Sequence, residues 1–431
     1  MLKKTLALMT ALSLSACVFA GCGDSDSSSG EASSAAVTDS VSSEGSGESK
    51  GEAPVPAANY KKEALAVKDE LIDQAALDKA LCTVGDASLI QDKMQKALAG
   101  EEVTVAYLGG SITEGYSAGA EKCYAKLSFE KFKEAFGGGD NIKYVNAGIS
   151  GTPSKLGNLR LQRDILSHDP DIVFIEFAVN DAMDDEHQAA YESIVRDLLE
   201  RDIAPVLLFS ITETGYSAQS YMKKIGEHYN LPMISYADAV TYLLESGKMV
   251  WKDFSDDYTH PNFKGHAMVA DMIGYYFEQA YAAAPETKPY PDSPLSYMVQ
   301  QGMQMFENTD VEPESMGSWK KGSNVAFFKD GWSHDPEEGN EPLVFKFKGK
   351  FAHVVYKTVK TGDYGDISIK IYVDGELADT RTLKSVTNDG WGNPITNMLS
   401  MQAAEKEFTI EISMAEGCET QQAEILAIAH N

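Results

Sequence analysis

The chain has 431 residues, enough for two or three domains, and its 43% hydrophobic and 24% charged residues are typical of a soluble globular protein. Lysine and arginine number 37 against 65 aspartates and glutamates, which gives a formal net charge of -28. A surface of this sign repels nucleic acid and anionic lipid head groups, so we expect neutral or weakly charged partners and no nucleic acid.

The N-terminus has the pattern of an export signal. Lys3 and Lys4 precede the apolar run TLALMTALSLSACVFAGC, and the polar tail after it favours a secretory signal over a membrane span. Cys17 and Cys22 each end a stretch of small residues, which resembles the lipobox of bacterial lipoproteins. We therefore predict a signal peptide over 1–22, lipidation of Cys22, and an extracytoplasmic protein anchored by lipid to the bacterial cell membrane. Lipidation of Cys17, or a plain secretion signal without lipidation, is the alternative.

A polar segment without aromatic residues follows the signal. Residues 23–58 hold eleven serines, five glycines and seven acidic residues. Such a composition buries too little apolar surface to offset the entropy of ordering the chain, so we predict a disordered tether over 23–59.

Residues 60–284 alternate between helical and strand patterns. Positions 60 to 100 have helical spacing, and five apolar β-rich runs then alternate with amphipathic segments; the runs are VTVAYLGG, KYVNAG, DIVFIEFAVN, APVLLFSI and PMISYADA. This order predicts a three-layer α/β/α domain with a five-stranded parallel sheet. Ligands bind such sheets at the carboxyl ends of the strands, where Ser111 lies in GGSITEG.

The composition changes after the last predicted helix. Four prolines in APETKPYPDSPLSY predict a linker over 285–300. Period-two alternation with a DG turn then predicts an antiparallel β-sandwich over 301–431. This second domain is a candidate for carbohydrate binding, with the alternative that its tryptophans fill the core or pack against the first domain. The tryptophans in question are Trp319, Trp332 and Trp391.

Four loops of the first domain carry polar residues that fit together. GGSITEG, NAGISGTPS, AVND and DDYTHPNFKG occur in this order, each at the predicted edge where the strands end. Over roughly 103–284 they resemble the four blocks of the SGNH (GDSL-type) hydrolase family, and the whole chain resembles its two-domain carbohydrate acetyl esterases. The resemblance implies a catalytic set of Ser111, Asp257 and His260 and an oxyanion hole made by the backbone N–H groups of Ser111 and Gly151 and the side-chain amide of Asn180.

The chemistry of these residue types agrees with the resemblance. A serine hydroxyl needs a base to take its proton, and histidine serves near neutral pH when an aspartate fixes its tautomer. Two positions depart from the family pattern: Gly110 replaces the usual aspartate of G-D-S, and Ala178 replaces the glycine of G-x-N-D. Neither position supplies a catalytic group, so every implied role remains filled.

Other polar residues suggest competing sites. Asp184 and His187 also read D-x-x-H, but we predict a helix N-cap and first turn there. His266 follows His260 by about one and a half helical turns and is interpreted as a packing residue. The acidic cluster around Asp184 and His187 is an alternative metal site, although no matching ligand occurs elsewhere in the sequence. It comprises Asp181, Asp184, Asp185, Glu186 and His187.

Cofactor motifs are absent from the sequence. Cys82, Cys123 and Cys418 have neither zinc spacing nor a disulfide pattern and are interpreted as buried hydrophobic residues. Without a P-loop or dinucleotide fingerprint, we predict neither a metal nor an organic cofactor.

These observations predict a serine esterase that removes acyl groups, in particular O-acetyl, from an extracellular polysaccharide through an acyl-enzyme. The polysaccharide rests on family analogy. One alternative keeps the mechanism on other substrates, as a lipase, arylesterase or thioesterase. The other is a surface lipoprotein that binds glycans without catalysis.

Overall fold

The computed structural model describes residues 60–285 and 289–431, so the predicted signal peptide, Cys22, the tether and part of the linker lie outside the described residues. The helices in the described part are α1 Gln74–Ala80, α2 Ser88–Leu98, α3 Ser111–Glu114, α4 Tyr124–Phe136, α5 Ser154–Leu159, α6 Leu161–Asp164, α7 Asp185–Leu199, α8 Gln219–His228, α9 Tyr236–Glu245, α10 Trp251–Phe254 and α11 Phe263–Ala282. The strands are β1 Leu81–Thr83, β2 Val103–Gly109, β3 Ile142–Gly148, β4 Ile172–Glu176, β5 Ala204–Phe209, β6 Met233–Ser235, β7 Gln304–Phe306, β8 Trp319–Lys321, β9 Trp332–His334, β10 Leu343–Thr358, β11 Ile367–Val373, β12 Glu376–Leu383, β13 Asn393–Met414 and β14 Glu424–His430.

The first domain is built on a six-stranded sheet of order β1-β6-β5-β4-β2-β3. The five apolar runs form its parallel strands, which confirms the predicted α/β class. The prediction of five strands was wrong by one, because β1 adds an antiparallel edge next to β6. Only three residues long, β1 lies inside a helical pattern and is too short to show a period of its own. Cys82 on this edge strand is exposed, contrary to expectation.

Helices cover both faces of this sheet, and alternate residues of each strand divide between two cores. Val105 and Tyr107 of β2 contribute to the core under α1, α2, α4, α9 and α11, whereas Ala106 and Leu108 contribute to the core under α7 and α8. Because both faces are buried, the strands are apolar throughout, as the sequence pattern required.

The second domain is an antiparallel β-sandwich made from one eight-stranded sheet. Its two long strands, β10 and β13, pair along most of their length and shift register at Gly349 and at Ala352. Bulges of this kind bend strands. The first half of β10 pairs with the second half of β13, which is flanked by β11 and then by β12. The second half of β10 lies between β13 and β14. The predicted DG turn joins β11 to β12, with Asp374 and Gly375 both at positive φ.

The two domains share a small apolar core. Ile149, Leu156 and Leu159 of the α/β domain pack with residues that include Phe328 and Leu426 of the sandwich. Polar contacts surround this core, among them the 2.7 Å hydrogen bond between His353 Nε2 and the side-chain oxygen of Gln300. The sandwich is therefore fixed against the segment that follows β3.

None of the helices within the described residues combines the length and the apolar character that a membrane crossing requires.

Candidate active site

Ser111 lies where strand β2 meets the short helix α3. The strand ends at Gly109, Gly110 is the N-cap, and Ser111 is the first helical residue. The Ser111 side chain does not cap the helix; its Oγ lies 2.9 Å from Nε2 of His260. Ser111 is largely buried, with 7% of its surface exposed.

His260 and Asp257 form a compact loop before α11. His260 Nδ1 lies 2.8 Å from Oδ2 of Asp257, while Oδ1 of the same carboxylate accepts the backbone N–H groups of Thr259 and His260. Burial opposes ionisation of Asp257, but these backbone hydrogen bonds and the imidazole hold its pKa below the ordinary value. Because an ionised carboxylate only accepts, Nδ1 donates to it and Nε2 is left to accept the proton of Ser111.

Neighbouring side chains fix this loop. The Ser255 hydroxyl contacts the backbone carbonyls of Asp257 and His260, at 2.8 and 2.6 Å. Trp251 Nε1 also donates to the Asp257 carbonyl. The ring of Tyr116 lies against the imidazole of His260, with 4.3 Å between the ring centroids. These contacts restrict the orientation of the imidazole toward Ser111.

The three predicted oxyanion donors are the backbone N–H groups of Ser111 and Gly151 and the side-chain amide of Asn180. Among the described residues, the backbone N–H groups of Ser111 and Gly151 have no hydrogen-bond partner. The side-chain amide of Asn180 packs against Gly110, where an added Cβ would lie 2.9 Å from Asn180 Cγ. A side chain at position 110 would therefore displace the amide of Asn180. Ala178, the other departure, is fully buried in the core and leaves Asn180 in place.

Glu114 connects the two segments that carry these N–H groups, and the sequence analysis missed it. Its Oε2 accepts both the backbone N–H and the hydroxyl of Ser150, at 2.8 and 2.5 Å. Asn146 adds a second tie by donating to the carbonyl of Thr113. No sequence signal marks Glu114, because its partner is 36 residues away.

The competing D-x-x-H pair has a structural role. Asp184 is the N-cap of α7 and accepts the backbone N–H of His187 at 2.9 Å, which confirms the predicted cap. His266 is buried and its Nδ1 accepts the backbone N–H of Tyr124; burial lowers its pKa to about 4, so it is neutral. Within the described part of the chain no group of three His, Cys, Asp or Glu side chains is arranged to hold a metal ion.

Two buried carboxyl groups lie beneath the site. Glu176, at the end of β4, accepts hydrogen bonds from the hydroxyls of Ser210 and Thr113, and burial raises its pKa to about 7. Asp181 follows Asn180 and accepts from the Ser154 N–H and the Tyr221 hydroxyl; burial raises its pKa to about 6. Both hold the loops that carry the candidate site, and neither reaches the Ser111 hydroxyl.

The three tryptophans of the sandwich differ in depth. Trp319 and Trp332 are buried in the sandwich core, so neither ring is available to a sugar. Trp391 is 62% exposed and lies over Gly151, where an added Cβ would approach its ring to 2.8 Å. Gly151 has φ +70°, a second reason for glycine at this position. The second domain thus places one exposed aromatic ring at the rim of the candidate site.

The chain is similar to known proteins in sequence and in fold. Residues 107–268 match the model of the GDSL-like Lipase/Acylhydrolase family. A protein of Escherichia coli K12 named thioesterase 1/protease 1/lysophospholipase L1 is 24% identical over 180 residues, which are 39% of this chain and 81% of that protein. A crystal structure of a two-domain esterase active on acetylated mannans, co-crystallised with mannopentaose, is similar with a TM-score of 0.72 and 26% identity, over 82% of this chain and 97% of that one. A second structure of an esterase with that description gives a TM-score of 0.70.

Proposed function

The α/β domain is a hydrolase domain of the GDSL-like lipase/acylhydrolase (SGNH) family, and on that premise we propose that the protein is a serine esterase that removes O-acetyl groups from an extracellular polysaccharide of the mannan type. The observation that carries this proposal is the arrangement of Ser111, His260 and Asp257, with 2.9 and 2.8 Å between successive partners.

Catalysis begins with Ser111. Its Oγ attacks the carbonyl carbon of the acetyl ester while the proton passes to Nε2 of His260, and Asp257 stabilises the imidazolium. Collapse of the tetrahedral intermediate breaks the bond to the sugar oxygen, which leaves with the proton from His260. Water then attacks the acyl-enzyme with His260 as base, and acetate is released.

The negative charge on the former carbonyl oxygen is stabilised by the N–H groups of Ser111 and Gly151 and by the Asn180 amide. The unpaired state of both backbone N–H groups in the described structure supports this role. One such donor contributes about 3 kcal/mol to transition-state stabilisation.

Two observations support a polysaccharide substrate. The similarity to the esterase active on acetylated mannans extends over both domains, not the hydrolase domain alone. In addition, Trp391 presents an exposed ring beside Gly151, and aromatic faces bind the apolar faces of sugar rings. We assign Trp391 to a sugar unit next to the acetylated one.

The test is acetate release from acetylated mannan, xylan, pectin and peptidoglycan. We expect release from acetylated mannan, and Ser111→Ala should lower kcat by at least about 10³-fold because it removes the nucleophile. Comparable turnover by Ser111→Ala would refute the assignment of the nucleophile. Binding of mannan by the wild type without release of acetate would instead identify a non-catalytic glycan-binding protein.

A second candidate is a lipase or thioesterase, favoured by the similarity to the Escherichia coli protein named thioesterase 1/protease 1/lysophospholipase L1. A series of chromogenic esters from acetate to long acyl chains separates the two. A sharp preference for acetate supports the carbohydrate esterase, and activity that rises with chain length supports the lipase.

Lipidation of Cys22 is proposed from the sequence alone. A radioactive fatty acid should label the wild type and should not label a Cys17→Ala, Cys22→Ala double variant. A labelled double variant would refute lipidation at either cysteine.

A further inference from the structure

A cavity of about 630 Å³ lies at the boundary of the two domains, beside the edge strand β3. This volume is in the range of binding sites for drug-sized ligands. One side is the end of β3 with Gly148 and Ile149, three and two residues before Gly151. The cavity therefore begins next to the loop that carries a proposed oxyanion donor.

The opposite wall comes from the sandwich and is held in place by Arg163 of α6. The guanidinium of Arg163 pairs with Asp164 and Glu307, donates to the backbone carbonyl of Phe327 at 3.1 Å, and lies over the ring of Phe328 at 4.9 Å. The ion pairs of Arg163 are partly buried, and its hydrogen bond to the carbonyl of Phe327 lies at the surface. Together with the packing of Phe328, these contacts position the loop that carries Phe327.

Phe327 itself has an unusual backbone conformation and an exposed side chain. Its φ is +68°, in the left-handed region that bulky residues rarely adopt, and its side chain is 55% exposed. Packing does not explain a phenylalanine at position 327, because the buried ring of the neighbouring residues Phe327 and Phe328 is that of Phe328. A turn does not require this residue type either. Strained backbone that presents an exposed side chain is found where a ligand binds.

The charges of the cavity select the class of ligand. Arg163 and Lys329 face four carboxylates, so anions are disfavoured, and the described residues contain no arrangement for a metal ion. Lys329, Asp330 and Thr309 are exposed, and their side chains have no hydrogen-bond partner within the described residues. Free polar groups around an aromatic face suit an uncharged polyhydroxyl ligand.

We infer that this cavity is a distal subsite for the polysaccharide, in which the ring of Phe327 packs on a sugar unit several units from the acetylated one. The inference rests on the proposed function, because it assigns the same substrate to a second contact. A chain bound across Trp391 then extends along β3 into the cavity. The protein should therefore bind long chains more tightly than short esters, which do not reach the cavity.

The test measures binding of unsubstituted manno-oligosaccharides of two to eight units by calorimetry, together with hydrolysis of a chromogenic acetate. We expect the affinity of the wild type to rise with length beyond the shortest oligomers. Phe327→Ala should weaken binding of the longest oligomer about 5- to 10-fold, because it removes roughly half of the burial of one aromatic ring. Its kcat/KM on the chromogenic acetate should be unchanged.

Phe327→Tyr keeps the ring and should bind as the wild type does. Tyr297→Ala is the matched control, because Tyr297 is 77% exposed and lines no part of this cavity. Equal affinity of wild type and Phe327→Ala for the longest oligomer, or affinity that does not depend on length, would overturn the subsite. If the wild type hydrolyses none of the acetylated substrates but binds manno-oligosaccharides in a way that depends on Phe327, the proposed function is overturned and the subsite stands.

Discussion

Glu114 holds the candidate nucleophile and a proposed oxyanion donor in one rigid unit. Ser111 and Glu114 are the first and last residues of α3, and Glu114 binds Ser150, which precedes Gly151. Both hydrogen bonds from Ser150 end on the same carboxylate oxygen. The side chain thereby sets the distance between the two backbone N–H groups without touching substrate.

Removal of Glu114 should therefore affect the transition state more than the ground state. We predict that Glu114→Ala lowers kcat about 10-fold on a chromogenic acetate with little change in KM, because the Gly151 N–H loses its position. Glu114→Gln can accept both hydrogen bonds through its amide oxygen and should recover most of the activity. Steady-state kinetics of the two variants decide the point, and equal loss in both would exclude a positioning role.

Glu176 makes stability depend on pH. Its pKa is raised from 4.5 to about 7 by burial, so the folded state holds a proton that the unfolded state has lost within this window. The contribution of Glu176 to the free energy of unfolding therefore falls as pH rises through the window, and the fall is complete above it.

Glu176→Gln removes this dependence, because the amide cannot ionise. We predict that the free energy of unfolding of the variant, relative to wild type, increases between about pH 4.5 and pH 8 by on the order of a few kcal/mol. Urea denaturation across this range measures the difference. Asp140→Asn, an exposed carboxyl, is the control, and a difference that stays constant with pH would contradict the prediction.

At the scale of elements, two D-x-x-H sequences fold into different structures. Asp184 caps a helix of 15 residues, and its His187 points to no serine. Asp257 lies in a loop whose backbone amides converge on the carboxylate, and its His260 reaches Ser111. The same spacing thus gives a helix cap in α7, whereas before α11 it gives a hydrogen-bonded set of Asp257, His260 and Ser111.

The two aspartates form a matched pair of variants. Asp184→Ala should cost about 1 kcal/mol of stability through loss of the cap and leave kcat/KM unchanged. Asp257→Ala should lower kcat about 10⁴-fold with a smaller effect on unfolding. Chemical denaturation and esterase kinetics on both variants provide the measurement; reduced activity without reduced stability in Asp184→Ala would reverse the assignment.

The elements differed in how well the sequence predicted them. The five parallel strands are long apolar runs between amphipathic helices, and this pattern leaves few alternative folds. The edge strand β1 escaped prediction because three residues carry no period. Ser111 could be placed at the edge of the sheet where the parallel strands end. His260 could be named only through the resemblance of its loop to a block of the SGNH family.

Other parts of the site depend on contacts that local sequence does not encode. Glu114 ends the short helix α3, Tyr116 and Phe327 lie in loops, and each acquires its role from a partner far along the chain. The same holds for the depth of the tryptophans. Trp332 is fully buried and Trp391 is exposed, although both lie among glycine and aspartate residues.

At the scale of the molecule, the two domains share one apolar core. Phe328 and Leu426 are fully buried in it against Ile149 and Leu156 of the hydrolase domain. The helices are concentrated in the hydrolase domain, and three of the four tryptophans lie in the sandwich. Helical circular dichroism and tryptophan fluorescence therefore report on different domains.

We predict that the two signals follow one thermal transition, because opening either domain exposes the shared core. Phe328→Ala should destabilise the protein by about 3 to 5 kcal/mol through a cavity in that core. In this variant the two transitions should move to lower temperature together. Separate midpoints for the two signals in the wild type would show that the domains are independent.

The position of Trp391 over Gly151 also has an evolutionary consequence. An appended module that only tethers an enzyme to its polymer can be exchanged by recombination without altering the reaction. Here the part of the gene that encodes the sandwich also encodes part of the rim of the candidate site, since Trp391 lies over the turn at Gly151. A chimera with the sandwich of a homologue would therefore inherit new selectivity along with new targeting, although every residue of the Ser111, His260 and Asp257 set stayed the same.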